Sequence, residues 1–363
     1  MAMSLVASID SADGTRTNAV IDANALYLMS ATRMTRVRLD TFAISHNLAF
    51  TNLYSNIIQD DNFLYVASTG ASATLYKLNK SDLTTADSRN IVNDPNTVDF
   101  PRTIGIAFNH SKTRIHCAVT HNTGLAATNK WKTEYTTSLT IAAGPTALPD
   151  TISVRSLKGF HTDDGHAEEI IMYDSASDRV REYLNVTLTG LSTAAATGST
   201  AHVFTGPNRV IQTGGRPPDV GFISNASVKV WTSVPVSGTD LGLITTYTES
   251  GGNVAGAVFD DNSLFCFLGV GTRSVRKVLR TDFSNVEYAE NIAPGTGSPT
   301  AIEAMVISTD NQFLYAWQSG TTSRVLKIGG LEITTPAVPI SGGPNVKRRP
   351  YPYNGNMISN GGW

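Results

Sequence analysis

Two cysteines in 363 residues, Cys117 and Cys266, are too few for a disulfide-built scaffold. Each lies inside an apolar run, "RIHCAV" and "LFCFLG", where a buried free thiol is the expectation. Charge is also scarce. Only 16% of residues are charged, and 28 basic side chains nearly balance 30 acidic ones, for a net charge of -2. That balance excludes a general attraction to nucleic acid or to an anionic membrane surface. No apolar run approaches the roughly 18 residues of a membrane-spanning helix. The opening "MAMSLVASIDSADGTR" has neither the basic segment nor the continuous apolar stretch of a secretory signal. A soluble chain made without an export signal is expected, and the sequons at Asn109, Asn185 and Asn225 then carry no weight.

Catalytic signatures are missing as well. There is no G-x-S-x-G elbow, no phosphate-binding G-x-x-x-x-G-K-[ST], no H-E-x-x-H and no C-x-x-C, and the glycines of "GVGTRS" and "GTGSPT" read as loop residues. Histidines gather at His110, His116 and His121, then at His161 and His166 beside Asp163 and Asp164. Adjacent strand residues point to opposite faces, so His116 and Cys117 cannot share an ion, and His110 and His121 fall at opposite ends of one hairpin. The pairs Asp60-Asp61 and Asp260-Asp261 lack the spacing of a calcium loop and read as turn chemistry. Neither a metal nor a cofactor is expected, and no residue is assigned a catalytic role.

What the chain does have is repetition. "IDANALYL" (21 to 28), "QDDNFLYV" (59 to 66), "FDDNSLFC" (259 to 266) and "STDNQFLYA" (308 to 316) each place an Asp/Asn knot before a leucine and an aromatic. Aligned on Leu26, Leu64, Leu264 and Leu314, they leave room for three degenerate copies: "NHSKTRIHCAV", "DDGHAEEIIMYD" and "GGRPPDVGFIS". A second strand family follows each copy, from "TRVRLD" at 35 to "SRVLKIG" at 323, and reports a period of about 48 residues.

Such a period with several short strands per unit indicates radially repeated sheets, whereas helical repeats would show apolar i, i+3, i+4 spacing. The strands are apolar on both faces. In "NFLYVAS", Phe63 and Tyr65 point one way while Leu64 and Val66 point the other, so each sheet needs cover on its two sides. Polar Gly, Asn, Asp and Ser connections imply hairpins. The expected fold is all-β: a seven-bladed propeller of four-stranded antiparallel blades over 17–340. Segment 1–16 offers "SLVASI" as a closing strand, in competition with "LEITTPAVPI" (331 to 340).

The Asx-x-Leu-Tyr-Val and x-Val-x-Lys-Leu strands resemble the seven-bladed propellers of the YVTN and NHL-like group, across roughly 17–340. The Trp-Asp and Gly-His signatures of WD repeats are absent. Propellers that hydrolyse lactones and esters hold a metal in the central channel, and that resemblance points to Glu303, with Asn253, Asn18 and Asn56, as the residues such an activity would use. One carboxylate falls short of the set.

The last segment, 341–363, cannot build a core. It carries Lys347, Arg348, Arg349, Tyr351, Tyr353, Met357 and Trp363, and reads as an extended arm whose cations and aromatics bind a partner. Low charge, abundant Thr, Ser, Asn and Gly, little helix and an arm-like end together resemble a bacteriophage particle component. The expectation is a non-enzymatic structural protein of the virion, on its neck, tail or capsid surface. Its partners would be other virion proteins or copies of itself, with a host surface glycan or protein as a further one. A channel hydrolase and a cytoplasmic interaction scaffold are the alternatives.

Overall fold

A computed structural model describes residues 2–11, 18–30, 32–51, 53, 57–68, 73–91, 101–108, 112–121, 130–147, 154–160, 169–174, 179–184, 190–194, 209–212, 219–224, 227–232, 242–249, 254–259, 265–279 and 282–333. Of the described residues within 101–104, 118–132 and 146–246, and of 259, the backbone alone is described.

The chain opens with β1 (Ser4–Ser11). Blade one is β2 (Asn18–Ile21), β3 (Ala25–Ser30), β4 (Arg33–Arg38) and β5 (Ala43–Ala49). Blade two is β6 (Ile58–Gln59), β7 (Phe63–Ser68), β8 (Thr74–Asn79) and β9 (Thr85–Asn90). Blade three is β10 (Pro101–Phe108), β11 (Arg114–His121), β12 (Lys130–Thr136) and β13 (Ile141–Ala147). Blade four is β14 (Val154–Phe160), β15 (Glu169–Asp174), β16 (Arg179–Leu184) and β17 (Gly190–Ala194). Blade five is β18 (Arg209–Gln212), β19 (Asp219–Ser224), β20 (Ser227–Thr232) and β21 (Gly242–Thr248). Blade six is β22 (Val254–Phe259), β23 (Phe265–Val270), β24 (Ser274–Leu279) and β25 (Asn285–Ala289). The last strands are β26 (Pro299–Ile307), β27 (Leu314–Gly320) and β28 (Ser323–Gly329).

Seven four-stranded antiparallel sheets result, six of them simple meanders. The seventh has the order β1-β28-β27-β26, so its outermost strand comes from the other end of the chain. Ser4 faces Gly329 and Ser11 faces Ser323. Arg324 locks this closure. Its Nε donates to Asp10 Oδ1 at 2.7 Å, and its Nη atoms reach the Thr296 carbonyl (2.6 Å) and hydroxyl (3.0 Å).

One irregularity recurs in all seven sheets. Where the third strand meets the fourth, the outer strand carries an extra residue at the same place in each sheet, and blade three has a second one between Lys132 and Glu134. Arg36 faces His46 while Val37 faces Ile44, leaving Ser45 over; Lys77 faces Asp87 while Leu78 faces Thr85, leaving Ala86. The pairs 134/135, 182/183, 230/231 and 277/278 repeat the pattern. In the seventh sheet the same bulge falls at Lys327 and Ile328, with Val6 as the extra residue. β1 is therefore a fourth strand like the others. A bulge also bends the strand and disturbs its open edge, which discourages edge-to-edge pairing.

Between blades the strands are apolar on both sides, and each side has its own core. Tyr65 and Ala67 of β7 pack with Ile106, Phe108 and Ile115 of blade three, and Leu64 and Val66 pack with Val20, Tyr27 and Met29 of blade one. Leu26 and Leu28 pack in the opposite direction, against Val306, Trp317 and Val325 of blade seven. Trp317 is fully buried, and its truncation to Ala should cost about 3–5 kcal/mol.

Register corrects one detail of the sequence alignment. Cys266, not Leu264, occupies the position of Leu26 and Leu64: it faces Val278, as Leu26 faces Val37 and Leu64 faces Leu78. The cause is a longer turn. Phe259 pairs with Cys266, seven positions on, whereas Gln59 pairs with Leu64, five positions on. The phrase kept its aspartates in line and let the strand slip.

Toward the axis the blades converge, and Gly269 meets that requirement. A Cβ there would lie 2.5 Å from the Ile302 carbonyl oxygen and 2.9 Å from Ile302 Cβ of the next blade. Gly269→Ala should therefore destabilise the chain by about 1–3 kcal/mol. Urea denaturation of the variant checks this, and an unchanged midpoint would contradict the close approach.

Candidate interaction face

Antiparallel order puts the first-to-second and third-to-fourth turns of every blade on one end of the ring, called here the turn face. Of the knots noted in the sequence, those at 22–24, 60–62 and 308–311 are described there. Asp60 Oδ1 accepts from the amides of Asn62 (2.9 Å) and Phe63 (2.7 Å), and its Oδ2 accepts from the Tyr65 hydroxyl at 2.8 Å. Asp22 does the same for Asn24 (2.8 Å), Ala25 (2.9 Å) and Tyr27 (3.1 Å). In blade seven Ser308 stands in the first position of the turn. Its Oγ accepts from Phe313 N at 2.9 Å and donates to Asp310 at 2.6 Å.

The same tyrosines reach the next blade. Tyr27 Oη lies 3.2 Å from the Lys80 carbonyl and Tyr65 Oη 3.3 Å from the Thr137 carbonyl, each in a third-to-fourth turn. Those turns hold a second repeated device, which the sequence analysis missed. Phe42, Leu83, Leu139 and Phe283 all take positive φ, between 46° and 61°. Their side chains point into the preceding blade: Leu83 joins the Tyr27 cluster and Leu139 the Tyr65 cluster. Phe42 meets Tyr315 at 6.1 Å between ring centroids, and Phe283 meets Tyr247 at 5.8 Å. The recurring "DLT", "DFS" and "SLT" triplets were the available signal.

Left-handed backbone costs a side-chain-bearing residue about 1–2 kcal/mol, while burying a leucine gains about 1.5–3. Burial wins, narrowly.

Lysines supply the third element. Lys77 Nζ lies 4.0 Å above the Phe63 ring and donates to the Thr137 carbonyl at 3.0 Å. Lys277 repeats this in blade six: 4.2 Å over Phe265, with hydrogen bonds to the carbonyls of Leu331 (2.6 Å) and Glu332 (2.9 Å). Residues 331 and 332 thus take the place of a third-to-fourth turn in blade seven. Leu331 is buried beside Met3, whose amide donates to Glu287 Oε1 at 2.5 Å. The root of the arm is clamped at the seam of blades six and seven, on the turn face.

Carboxylates are frequent in the described turns of this face. Among the described residues, first-to-second turns hold Asp22, Asp60, Asp61 and Asp310, and third-to-fourth positions hold Asp40, Asp82, Asp282 and Glu332. Lys80 and Lys112 are the cations of those turns. Lys80 Nζ is 3.4 Å from Asp22, and Asp40 pairs with Arg38. Burial lowers the Lys112 pKa, and Asp61 opposes that shift. Among the described residues, the turns and connections at the opposite end hold Glu249, Glu290 and Arg273. Hydrogen bonds from Thr84 hold the Asp82 carboxyl below its usual range, and the Ser284 amide does so for Asp282.

The sequence-predicted residues are placed as follows. Lys347, Arg348, Arg349, Tyr351, Tyr353, Met357 and Trp363 lie outside the described residues. So do His110, His161 and His166, and also Asn56 and Asn253. His116 is buried, with Nδ1 3.7 Å from Glu134 Oε1, where blade two has its Tyr65–Lys77 pair. Burial pushes the neighbouring Cys117 thiol up to about 12. Glu303 is mostly buried in β26 opposite Trp317, and Asn18 begins β2. Among the described residues no group of three or more His, Cys, Asp or Glu is placed to hold a metal ion.

No family model matches the chain, and neither does any curated protein. Among solved structures it is similar to the β-propeller domain of Cps50 (Swd1) from Myceliophteria thermophila, at a TM-score of 0.63 and 10% identity. That likeness covers 90% of this chain and 99% of the other. The fold is a β-propeller.

Two measurements test the turn face. Leu83→Ala keeps the backbone strain and loses the burial, for about 2–5 kcal/mol, while Leu83→Gly relieves the strain and should cost about 1 kcal/mol less. Ranked by denaturant midpoint, glycine above alanine is expected, the reverse of an ordinary strand. Burial, then Asp310, pushes the Tyr315 hydroxyl up to about 12, and burial, then Asp60, raises Tyr65 as well. Both groups bind their protons more tightly folded than unfolded. Their contribution is therefore complete below about pH 10 and is lost as pH rises above it. Urea midpoints from pH 8 to 11 should fall at the upper end, and less steeply for Tyr65→Phe.

Proposed function

We propose that this protein is a non-enzymatic interaction platform of a bacteriophage particle, a rigid disc on its neck, tail or capsid surface that docks to neighbouring subunits through residues 341–363. The observation that carries the reading is the clamped arm root. Lys277 grips the carbonyls of residues 331 and 332, so whatever the arm binds is tied to a fixed point on a stiff ring. A loosely tethered tail would transmit position poorly; this one begins within the core between two blades.

The arm itself offers Tyr351, Tyr353, Met357 and Trp363, residue types that carry much of the energy at protein contacts, together with Lys347, Arg348 and Arg349. Its partners on this reading are other virion proteins or further copies of the chain, and the exposed turns are free to meet a host surface glycan or protein. The particle setting rests on composition, and the docking role on the arm.

Replacing Tyr351, Tyr353 and Trp363 together by Ala in the full chain should reduce co-sedimentation with particles about 100-fold or more, since each such anchor contributes about 1–2 kcal/mol or more. The folded ring should melt as before. Undiminished incorporation would refute the arm as the docking element.

A further inference from the structure

β1 differs from the other six fourth strands in how it is tied. Each of those follows its own third strand along the chain, whereas β1 reaches its sheet from the far terminus and is joined through residues 12–17 to blade one. It also adds little to the blade cores. Among the described residues no fourth strand supplies a buried member of the apolar clusters, and β1 offers only Leu5 and Ile9 as half-buried neighbours. The three strands beside it already cover both of their faces: Met305, Leu314 and Leu326 meet blade six, and Val306, Trp317 and Val325 meet blade one. The ring therefore keeps its cores when β1 is lifted, and opening this edge is a local event that lies well below global unfolding.

The slot that β1 fills is specific at both ends. At one end Arg324, its side chain only 8% exposed, aims Nε at Asp10 Oδ1 while Thr296 holds its Nη atoms. At the other, Met3 is buried in the cluster of Ile328 and Leu331, and its amide donates to Glu287 of blade six. Between them runs the edge of β28, paired from Gly329 to Ser323. A buried guanidinium deprived of its carboxylate is strongly unfavourable. The slot thus selects an extended strand with an acid seven positions after a buried apolar residue, and every copy of this chain carries one.

We infer that β1 is an exchangeable strand: it leaves the seventh sheet by local opening, and residues 2–11 of a second copy of the chain complete that sheet in its place. The contacts are the same in both states, so concentration competes only with the tether. From Ser11 to Asn18 is seven Cα steps, at most about 25 Å, so two exchanging rings must meet at their seventh-to-first seams. In dilute solution the chain's own strand wins; where copies are crowded together, the neighbour's does. This link between copies is independent of residues 341–363 and of the particle setting.

Ser11 faces Ser323 in the ladder and both are buried, so a disulfide joins those positions when the strand is seated. Two full-length populations, one Ser11→Cys and the other Ser323→Cys, are mixed and oxidised. The yield of cross-linked dimer should rise at least tenfold between about 10 μM and 1 mM chain. Excess peptide of residues 1–12 should suppress it, and the same peptide with Met3→Ser and Asp10→Asn should compete at least tenfold less well. A full-length chain with Ala7→Pro and Ser8→Pro, whose own strand cannot pair, should stay folded and bind the labelled peptide at least tenfold more tightly than the intact chain. Absence of the dimer at every concentration, a yield indifferent to the peptide, equal competition by the two peptides, or unfolding of the proline variant would overturn the inference.

Discussion

A sheet that is greasy on both faces cannot end against water, and the rest of this molecule follows from that. Each blade covers one face of the blade before it and one of the blade after it. A linear stack would leave two faces bare, and a ring leaves none. Leu64 and Val66 look toward blade one while Tyr65 and Ala67 look toward blade three, so a one-residue slip of β7 would exchange two cores. The recurrent bulge, the aspartate caps and the left-handed Leu and Phe turns all serve to hold that register while the blades wedge together.

What the sequence made legible was whatever repeats in chemistry. The Asp knots and the Leu-Tyr pairs stood out because the same turn and the same two-sided core are built again and again. The fourth strands did not, because they are the outer edges. Every residue of β9, "TADSRN", is exposed, and nothing in such a string separates strand from loop. Register was legible only up to turn length, which is why Leu264 was taken for Cys266. The left-handed Leu and Phe positions were hidden by the habit of expecting glycine or asparagine at positive φ. They are held there by the neighbouring blade, a tertiary effect without a local signature.

The candidate face was legible in parts that had to be joined. Lys77 and Lys277 read as ordinary strand lysines, and only the topology shows that each reaches over an aromatic ring to the carbonyls of the following blade. Glu303 read as a channel carboxylate; its burial opposite Trp317 is a matter of packing that spacing cannot convey. Charge told least from composition. A net value of -2 conceals the carboxylates gathered in the described turns, because most of the basic residues sit along strands and in the last segment of the sequence.

Closing the seventh sheet with a strand from the opposite terminus has a consequence for how the protein is born. Asp10 is separated from its partner Arg324 by 314 positions, and Ser4 waits for Gly329. At about 5–20 residues per second, the ribosome needs roughly 15–65 s to deliver the mate of that first strand. Until then an early segment with an open edge must be kept from other nascent chains, and polysomes, where many copies wait side by side, are where this fold is most exposed to error.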